Sequence, residues 1–174
     1  MKLKKKFILK LLPAVALLSM LASGCNTSGC TDNRSSIPLA GFYSSTDGRP
    51  IAVDSLAIKG VGAPVDTVYL LSPSESATQV YLPLRASESS TTFEIFYMQS
   101  NLAGLTDRVT IDYNALPYFA SEECGAMYRY RITRLNHTAV LLDSVGIVPE
   151  DSVITNAPVQ NLHLYFRTSS QDQG

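Results

Sequence analysis

Apolar side chains occupy every second position, with polar side chains between them, through most of the sequence between Ile37 and Arg167. In the strictest segment, residues 107–113, Val109, Ile111 and Tyr113 alternate with polar residues. This period of two is typical of an extended strand with one buried face. No segment after residue 24 keeps a 3.6-residue period over three turns, so the pattern favours an all-β fold.

Nine segments of this kind follow one another, separated by turns rich in Ser, Gly, Pro and Asn. They span residues 38–43, 54–61, 67–71, 79–85, 91–99, 107–113, 126–134, 138–148 and 161–167. Pro38 predicts that the first strand lies at a sheet edge, because proline cannot donate a hydrogen bond to a central ladder. The pattern predicts an antiparallel, immunoglobulin-like two-sheet sandwich. A small lipocalin-like barrel is the alternative, because eight or nine strands also suit it.

The N-terminal segment has the pattern of an export signal. Four lysines within residues 2–6 precede an apolar run over residues 7–21, which is shorter than a membrane-spanning helix needs. The sequence Leu21-Ala22-Ser23-Gly24-Cys25 resembles the lipobox of bacterial lipoproteins, where the peptidase cuts before the cysteine and its sulfur takes a diacylglycerol. The resemblance implies lipidation of Cys25. The alternative is an ordinary signal peptide that leaves Cys25 as a thiol.

Cleavage before Cys25 divides the chain into four predicted parts. They are a signal peptide over residues 1–24, a lipidated tether over 25–36, a single β domain over 37–167 and a disordered tail over 168–174. Asn26 is not the aspartate that often signals inner-membrane retention, so the resemblance implies an outer-membrane lipoprotein. No acidic cluster follows Cys25, which favours the periplasmic side over the alternative, exposure at the cell surface.

The charge of the chain changes when the signal is removed. Five of the 14 basic residues lie in the signal, while all 15 acidic residues follow it, so nine basic residues remain and the net charge becomes −6. An acidic chain without a basic run argues against nucleic acid as a partner. Contact with the membrane is therefore expected to come from the N-terminal lipid rather than from charge.

The three cysteines leave an even pair once Cys25 is acylated. Cys30 and Cys124 would then face an oxidising compartment, where a disulfide is the natural prediction. It would close a loop of about 90 residues and contribute about 2–4 kcal/mol. A reactive thiol and a metal ligand are the alternatives, but no CxxC motif supports the latter.

Several short motifs, each of them weak evidence alone, occur along the mature chain. They are Cys30 followed by Arg34-Ser35-Ser36-Ile37-Pro38-Leu39 and Gly41-Phe42-Tyr43, then Glu123-Cys124-Gly125, and finally Asn161-Leu162-His163-Leu164-Tyr165-Phe166. Together they resemble a family of small lipoproteins of Bacteroides-type bacteria, a domain family of unknown function. The resemblance implies an envelope location and supports the Cys30–Cys124 pairing, and it supplies no catalytic residue.

No constellation for catalysis stands out in the sequence. HExxH, GxSxG, P-loop and dinucleotide-binding motifs do not occur. His137 is expected in an exposed turn, and His163 on a strand face opposite its leucine neighbours. Glu122 and Glu123 are expected in a solvated turn, with calcium binding as a weak alternative. We therefore predict no catalytic residue, no metal site and no cofactor, and we expect that the protein is not an enzyme.

One predicted surface combines arginine with tyrosine on an otherwise acidic protein. If the strands concerned are neighbours, a binding patch forms that suits carboxylate or sugar recognition, consisting of Arg129, Arg131, Arg134, Tyr165 and Arg167. Ordinary cross-strand pairing of the arginines with Glu94 or Asp112 is the simpler alternative.

A second surface pattern is a triplet of Asp, then Ser or Thr, then an aliphatic residue, which occurs four times. It resembles the acceptor motif for O-glycosylation in Bacteroides-type envelopes, and its acceptors here are Ser55, Thr67, Ser144 and Ser152. Asp-Ser and Asp-Thr also open strands after turns, which is the competing explanation.

These observations lead to a hypothesis about function. We expect a lipid-anchored periplasmic β-domain that is not an enzyme and that binds or scaffolds an outer-membrane protein or a glycan. A small-ligand carrier of lipocalin type is the alternative, and it requires a dry internal cavity. An envelope hydrolase, the third option, requires polar side chains that cluster in a cleft.

Overall fold

The strands begin and end close to the turn residues that separate the alternating segments. The computed structural model describes residues 36–62, 69–73, 76–122 and 124–168, and within these ranges it contains nine strands. They are β1 (Leu39–Ser44), β2 (Leu56–Gly60), β3 (Gln79–Tyr81), β4 (Ser90–Tyr97), β5 (Thr106–Ser121), β6 (Gly125–His137), β7 (Leu142–Ile147), β8 (Val153–Ile154) and β9 (Gln160–Phe166). In this part of the chain there is no helix that could cross a membrane.

The described strands form two sheets that pack against each other. One has four strands in the order β3-β1-β9-β7, and the other has five in the order β2-β4-β5-β6-β8. Within the described ranges the sheets do not close into a barrel, so the predicted two-sheet sandwich is confirmed and the lipocalin-like alternative is wrong. The alternative function, a small-ligand carrier, was based on such a barrel and therefore lacks its structural support.

The core lies between the sheets, where the period-two pattern places it. Phe93 and Ile95 of β4 and Ile111 of β5 are almost fully buried, as the alternation predicts. From the other sheet the core receives Ala40, Phe42, Leu162, Leu164 and Phe166. Because a two-sided core of this kind removes the apolar face of both sheets from water, burial holds the sandwich together.

β1 does not lie at a sheet edge, which corrects the expectation drawn from Pro38. The strand runs between β3, to which it is antiparallel, and β9, to which it is parallel. Pro38 precedes the strand, so the missing N–H is not needed in the ladder, and its carbonyl accepts a hydrogen bond from Leu82 N at 2.9 Å.

Three further segments differ from the expected strands. Residues 67 and 68 of the predicted strand 67–71 lie outside the described residues, and Leu71 makes only an isolated bridge to Ile58. The stretch 138–141 connects β6 to β7 instead of forming a strand. β8 was not expected, because two residues are too few to show an alternation.

β5 and β6 form a hairpin that continues past the other strands of their sheet. The predicted strands ended at residue 113 and began at 126, whereas β5 continues to Ser121. β4 pairs with β5 no further than Asp112, and β8 pairs with β6 only at Tyr130 and Arg131. Among the described strands, residues 116–121 and 125–129 therefore pair only with each other. We call this two-stranded segment the arm.

Asp107 ties the two sheets together from inside the sandwich. This fully buried carboxylate on β5 accepts hydrogen bonds from Tyr97 Oη at 2.8 Å and from Thr138 Oγ1 at 2.6 Å. It also accepts from the backbone N–H groups of Val140, Leu141 and Leu142, each at 2.8 Å. Since Leu142 begins β7, the carboxylate fixes the crossing from the five-stranded to the four-stranded sheet.

The protonation of this cluster follows from the same contacts. Burial alone would raise the pKa of Asp107, but the hydrogen bonds from Thr138 and the three backbone amides outweigh it and hold the pKa below its ordinary value. Burial, together with the hydrogen bond to Asp107, raises the pKa of Tyr97. The pair is therefore a carboxylate and a neutral phenol at neutral pH.

Candidate functional site

The outer surface of the four-stranded sheet carries a row of aromatic and amide side chains. On β1 and β9 the inward positions belong to the core, so Tyr43, His163 and Tyr165 project from the opposite face. The parallel register of the two strands places Tyr43 beside Tyr165 and Gly41 beside His163. We call the side chains of Tyr43, Gln79, Gln160, His163 and Tyr165 the aromatic face.

The three rings contact one another directly. The centroids of Tyr43 and His163 are 4.1 Å apart, and those of Tyr43 and Tyr165 are 5.7 Å apart. The rings of His163 and Tyr165 meet edge to face at 6.1 Å. All three are half-buried, so each leaves part of its ring or its polar tip on the surface.

The amides of the face are held in place before any ligand arrives. Tyr43 Oη donates to Gln160 Oε1 at 2.6 Å, and Gln160 Nε2 donates to Gln79 Oε1 at 3.3 Å. Gln160 lies directly over Gly41, where an added Cβ would come within 2.7 Å of three atoms of its side-chain amide. Only glycine at position 41 leaves room for this arrangement.

The aromatic face is neutral at physiological pH. Burial lowers the pKa of His163, so its imidazole is uncharged there. Next to β9, the outward positions of β7 hold Ser144 and Gly146, opposite Tyr165 and His163. The ion pair between Arg167 Nε and Asp143 Oδ1, at 3.1 Å, lies beyond this row. On an acidic chain, such a surface suits a neutral, polyhydroxylated ligand better than an ionic one.

The arginine–tyrosine patch expected from the sequence does not form as one surface. Arg129, Arg131 and Arg134 lie on β6, whose neighbours are β5 and β8, whereas Tyr165 lies on β9 between β1 and β7. The condition on which the patch rested, neighbouring strands, is therefore not met. Arg167 follows β9 and pairs with Asp143.

The alternative of cross-strand pairing also involves other residues than expected. Glu94 forms ion pairs with Arg108 at 2.7 Å and with Lys59 at 3.7 Å. Asp112 lies opposite Arg134 in the ladder but accepts its hydrogen bond from Ser90 Oγ at 2.7 Å. Arg129 stacks on the ring of Tyr118, with its Cζ 4.2 Å from the centroid.

The sequence carried part of the signal for the aromatic face. Alternation alone predicts that His163 projects away from its leucine neighbours. It cannot show that β1 and β9, whose pairing joins Leu39 to Gln160, lie side by side. Because the two strands are parallel and far apart in the sequence, no short connecting turn indicates that they pair.

The proposed glycan acceptors lie in three different settings. Ser55 and Ser152 precede β2 and β8 and have positive φ values of 53° and 57°. Asp151 Oδ1 accepts a hydrogen bond from Val153 N at 3.1 Å, a turn contact that favours the strand-opening explanation there. Ser144 lies on β7 at a register shift. Thr67 lies outside the described residues.

The remaining predicted residues are placed as follows. Cys25 and Cys30 lie outside the described residues, and Cys124 lies in the turn between β5 and β6. His137 Nε2 is 3.0 Å from the carbonyl oxygen of Asp143, whereas His163 belongs to the aromatic face.

Ser36 and Thr168, at the predicted domain limits, are both described, and Thr168 Oγ1 lies 3.2 Å from Ser44 Oγ. In the ranges that the structure describes, no three His, Cys, Asp or Glu side chains cluster closely enough to hold a metal ion.

Comparison with known proteins gives one match. The sequence profile of a family of unknown function (DUF6452) matches residues 55–166, more than half of the chain. No curated protein and no solved structure matches the chain. The matched range contains β2 to β9, so it includes four residues of the aromatic face and leaves out Tyr43.

Proposed function

The chain belongs to the DUF6452 family of unknown function, and from this premise we propose a lipid-anchored, non-enzymatic envelope protein whose aromatic face binds a glycan. The observation that carries the proposal is the arrangement of three contacting rings and two fixed amides on one neutral sheet face. The proposal has two separable parts, the anchor and the binding surface.

The anchor is supported by the N-terminal sequence. A basic start, an apolar run over residues 7–21 and small residues before Cys25 resemble a lipoprotein signal, which supports lipidation of Cys25. Two or three acyl chains hold a protein at a bilayer durably. We propose an outer-membrane lipoprotein that faces the periplasm, with exposure at the cell surface as the other location.

Glycan binding is supported by the chemistry of the aromatic face. The C–H face of a pyranose ring is apolar and packs on aromatic rings, while its hydroxyl groups exchange hydrogen bonds with amides and phenols. Tyr43 and Tyr165 supply rings, and Gln79 and Gln160 supply amide groups. Because Gly41 and the Tyr43–Gln160 hydrogen bond already order these side chains, little rotamer entropy remains to be lost on binding.

Binding is tested with isolated peptidoglycan sacculi and a panel of neutral oligosaccharides, by co-sedimentation and by calorimetry of the mature chain. We expect Tyr165→Ala to weaken binding about tenfold, which corresponds to the loss of one stacked aromatic contact and its area. Tyr128→Ala is the matched control, because this tyrosine is exposed on the arm, away from the four-stranded sheet. Equal affinity of both variants, or no binding by the native chain, contradicts the glycan proposal.

An outer-membrane protein is the competing partner. Crosslinking in intact envelopes distinguishes the two, because a protein scaffold leaves a specific crosslinked species that sacculi do not compete for. The anchor is measured separately by intact mass and by the location of a Cys25→Ser variant. An unlipidated native protein contradicts the anchor and leaves the glycan result to stand on its own.

We also propose that at least one of the acceptor serines or threonines carries a glycan. Ser144 is the acceptor with the most consequence, because it lies opposite Tyr165 beside the aromatic face. The native protein should then exceed the mass of polypeptide and lipid by whole sugar residues. Intact mass that shows only polypeptide and lipid contradicts this part.

A further inference from the structure

The arm presents an apolar face that its own sheet does not cover. Cross-strand pairing places Pro117 opposite Tyr128 and Phe119 opposite Ala126, and paired residues share a face. All four are exposed, with Phe119 at 70 % and Tyr128 at 40 %. A phenylalanine that is 70 % exposed at the end of a hairpin contributes little to the core, and such an exposed apolar side chain is available for a contact outside the sandwich.

The opposite face of the arm has a different character. Tyr118 Oη lies 3.8 Å from Met127 Sδ, and the guanidinium of Arg129 lies over the ring of Tyr118. A cation held on a phenol ring, beside an apolar surface, is the kind of pair that suits the boundary between lipid and water. The two faces of the arm thus differ, because one carries the exposed ring of Phe119 and the other carries a cation over an aromatic ring.

The N-terminal chain enters the sandwich at the base of the arm. β1 and β3 pair Leu39 with Tyr81, and one step further back Pro38 O accepts from Leu82 N. Ser36, two positions before Pro38, is fully buried, and Tyr130 Oη of β6 donates to Leu84 O at 3.5 Å, two positions after Leu82. Leu84 and Ala86 form one wall of an open concavity of about 370 Å³, and Cys124, Ala126, Tyr128 and Tyr130 of the hairpin form the other.

The distance from this point to the lipid is short. Eleven positions separate Cys25 from Ser36, so an extended chain reaches at most about 40 Å. The predicted Cys30–Cys124 disulfide would shorten the link further, because Cys30 is five positions from the lipidated residue and Cys124 lies in the turn of the arm. With this disulfide, the turn of the arm is linked to the chain five positions from the lipidated residue, which keeps the arm next to the bilayer.

We propose that the apolar face of the arm, centred on Phe119, inserts into the headgroup region of the bilayer to which the chain is anchored. This rests on the anchor in the proposed function and is independent of glycan binding. The occupant is a zwitterionic lipid surface rather than a strongly anionic one, because Glu122 at the turn is exposed and acidic. With two attachments, lipid and arm, the domain holds one orientation on the membrane.

The chain contains no tryptophan, which makes the test direct. Phe119→Trp introduces a single fluorophore at the end of the arm, and Tyr81→Trp, at a side chain 46 % exposed on the four-stranded sheet, is the matched control. Each lipidated variant is placed on phosphatidylcholine vesicles with brominated acyl chains. We expect the Phe119→Trp emission to shift to the blue and to be quenched several-fold more than that of Tyr81→Trp.

Flotation with the vesicles separates the two possible failures. A chain that carries no lipid and does not float contradicts the anchor and the arm contact together. A chain that floats, but whose two tryptophan variants are quenched equally, contradicts the arm contact alone. A third variant, Phe119→Ser, should weaken the vesicle association of the unlipidated Cys25→Ser chain about tenfold. Unchanged association of this variant also overturns the proposal.

Discussion

The strands β5 and β6 belong both to the body, by which we mean the two packed sheets without the arm, and to the arm, and their side chains have different environments in the two regions. In the body, β5 points Val109, Ile111 and Tyr113 into a core in which each is nearly inaccessible. In the arm, the same strand exposes Pro117 and Phe119 and pairs with β6 alone among the described strands. Burial of apolar side chains in the body therefore stabilises the fold, whereas the arm leaves its apolar side chains exposed and available for contact with another surface.

The tyrosines of the two regions show the same contrast. Tyr113 is 1 % exposed, and its hydroxyl accepts from Arg85 N at 3.0 Å and donates to Arg85 O at 2.9 Å. Tyr128 on the arm is 40 % exposed. A buried phenol needs a partner for its hydroxyl, whereas an exposed one can serve a surface contact. A tyrosine thus holds the backbone at Arg85 in the body, whereas a tyrosine on the arm faces solvent.

The largest effect should come from Asp107 in the body. Asp107→Ala leaves the amides of Val140, Leu141 and Leu142 buried without their acceptor, and each such loss is costly. We expect the free energy of unfolding to fall by at least about 3 kcal/mol in urea titrations. Asp112→Ala, on the same strand, is the control and should cost less than about 1 kcal/mol, because its bond to Ser90 is exposed. Similar losses for both variants would remove the special role of Asp107.

The same carboxylate should make the stability of the body depend on pH. The folded pKa of Asp107 lies below the ordinary value of 3.8, so the folded state binds its proton less readily than the unfolded state. Its contribution is present above pH 3.8 and is lost as the pH falls through the folded pKa. We expect unfolding free energy to decrease over this acid range in the native chain and to change less in Asp107→Asn. Parallel pH curves for the two chains would contradict the assignment.

A disulfide between Cys30 and Cys124 would make the difference between body and arm smaller, because the arm would then also contribute to stability. Cys124 lies in the turn of the arm, so the bond would couple that turn to the chain that precedes β1. We expect reduction, or the Cys30→Ser and Cys124→Ser variants, to lower the free energy of unfolding by about 2–4 kcal/mol. Peptide mapping without reductant gives the direct result. Alkylation of both thiols in the native, oxidised protein would show that the pair is not joined.

The sequence predicts the body better than it predicts the arm or the aromatic face. Alternation identifies Ile95, Ile111 and Leu164 as core because burial of one strand face is a local signal. Apart from Tyr97, the donors to Asp107 lie more than 30 positions away, and β1 pairs with β9 more than 120 positions away, so neither set of contacts can be predicted from neighbouring residues. The extension of β5 was missed because the side chains of residues 114–120 are not buried on alternate positions, so this stretch lacks the pattern of a strand with one buried face.

The smallest effect should come from Phe119, and it sharpens the comparison most. Since the ring is 70 % exposed, Phe119→Ser should change the free energy of unfolding by less than about 0.5 kcal/mol. Phe93→Ala, at a position 1 % exposed in the core, should cost about 3–5 kcal/mol and is the matched control. A large loss for Phe119→Ser would mean that the ring supports the fold. A neutral result, combined with weaker vesicle association, would mean that the arm keeps an apolar ring for the membrane at no benefit to stability.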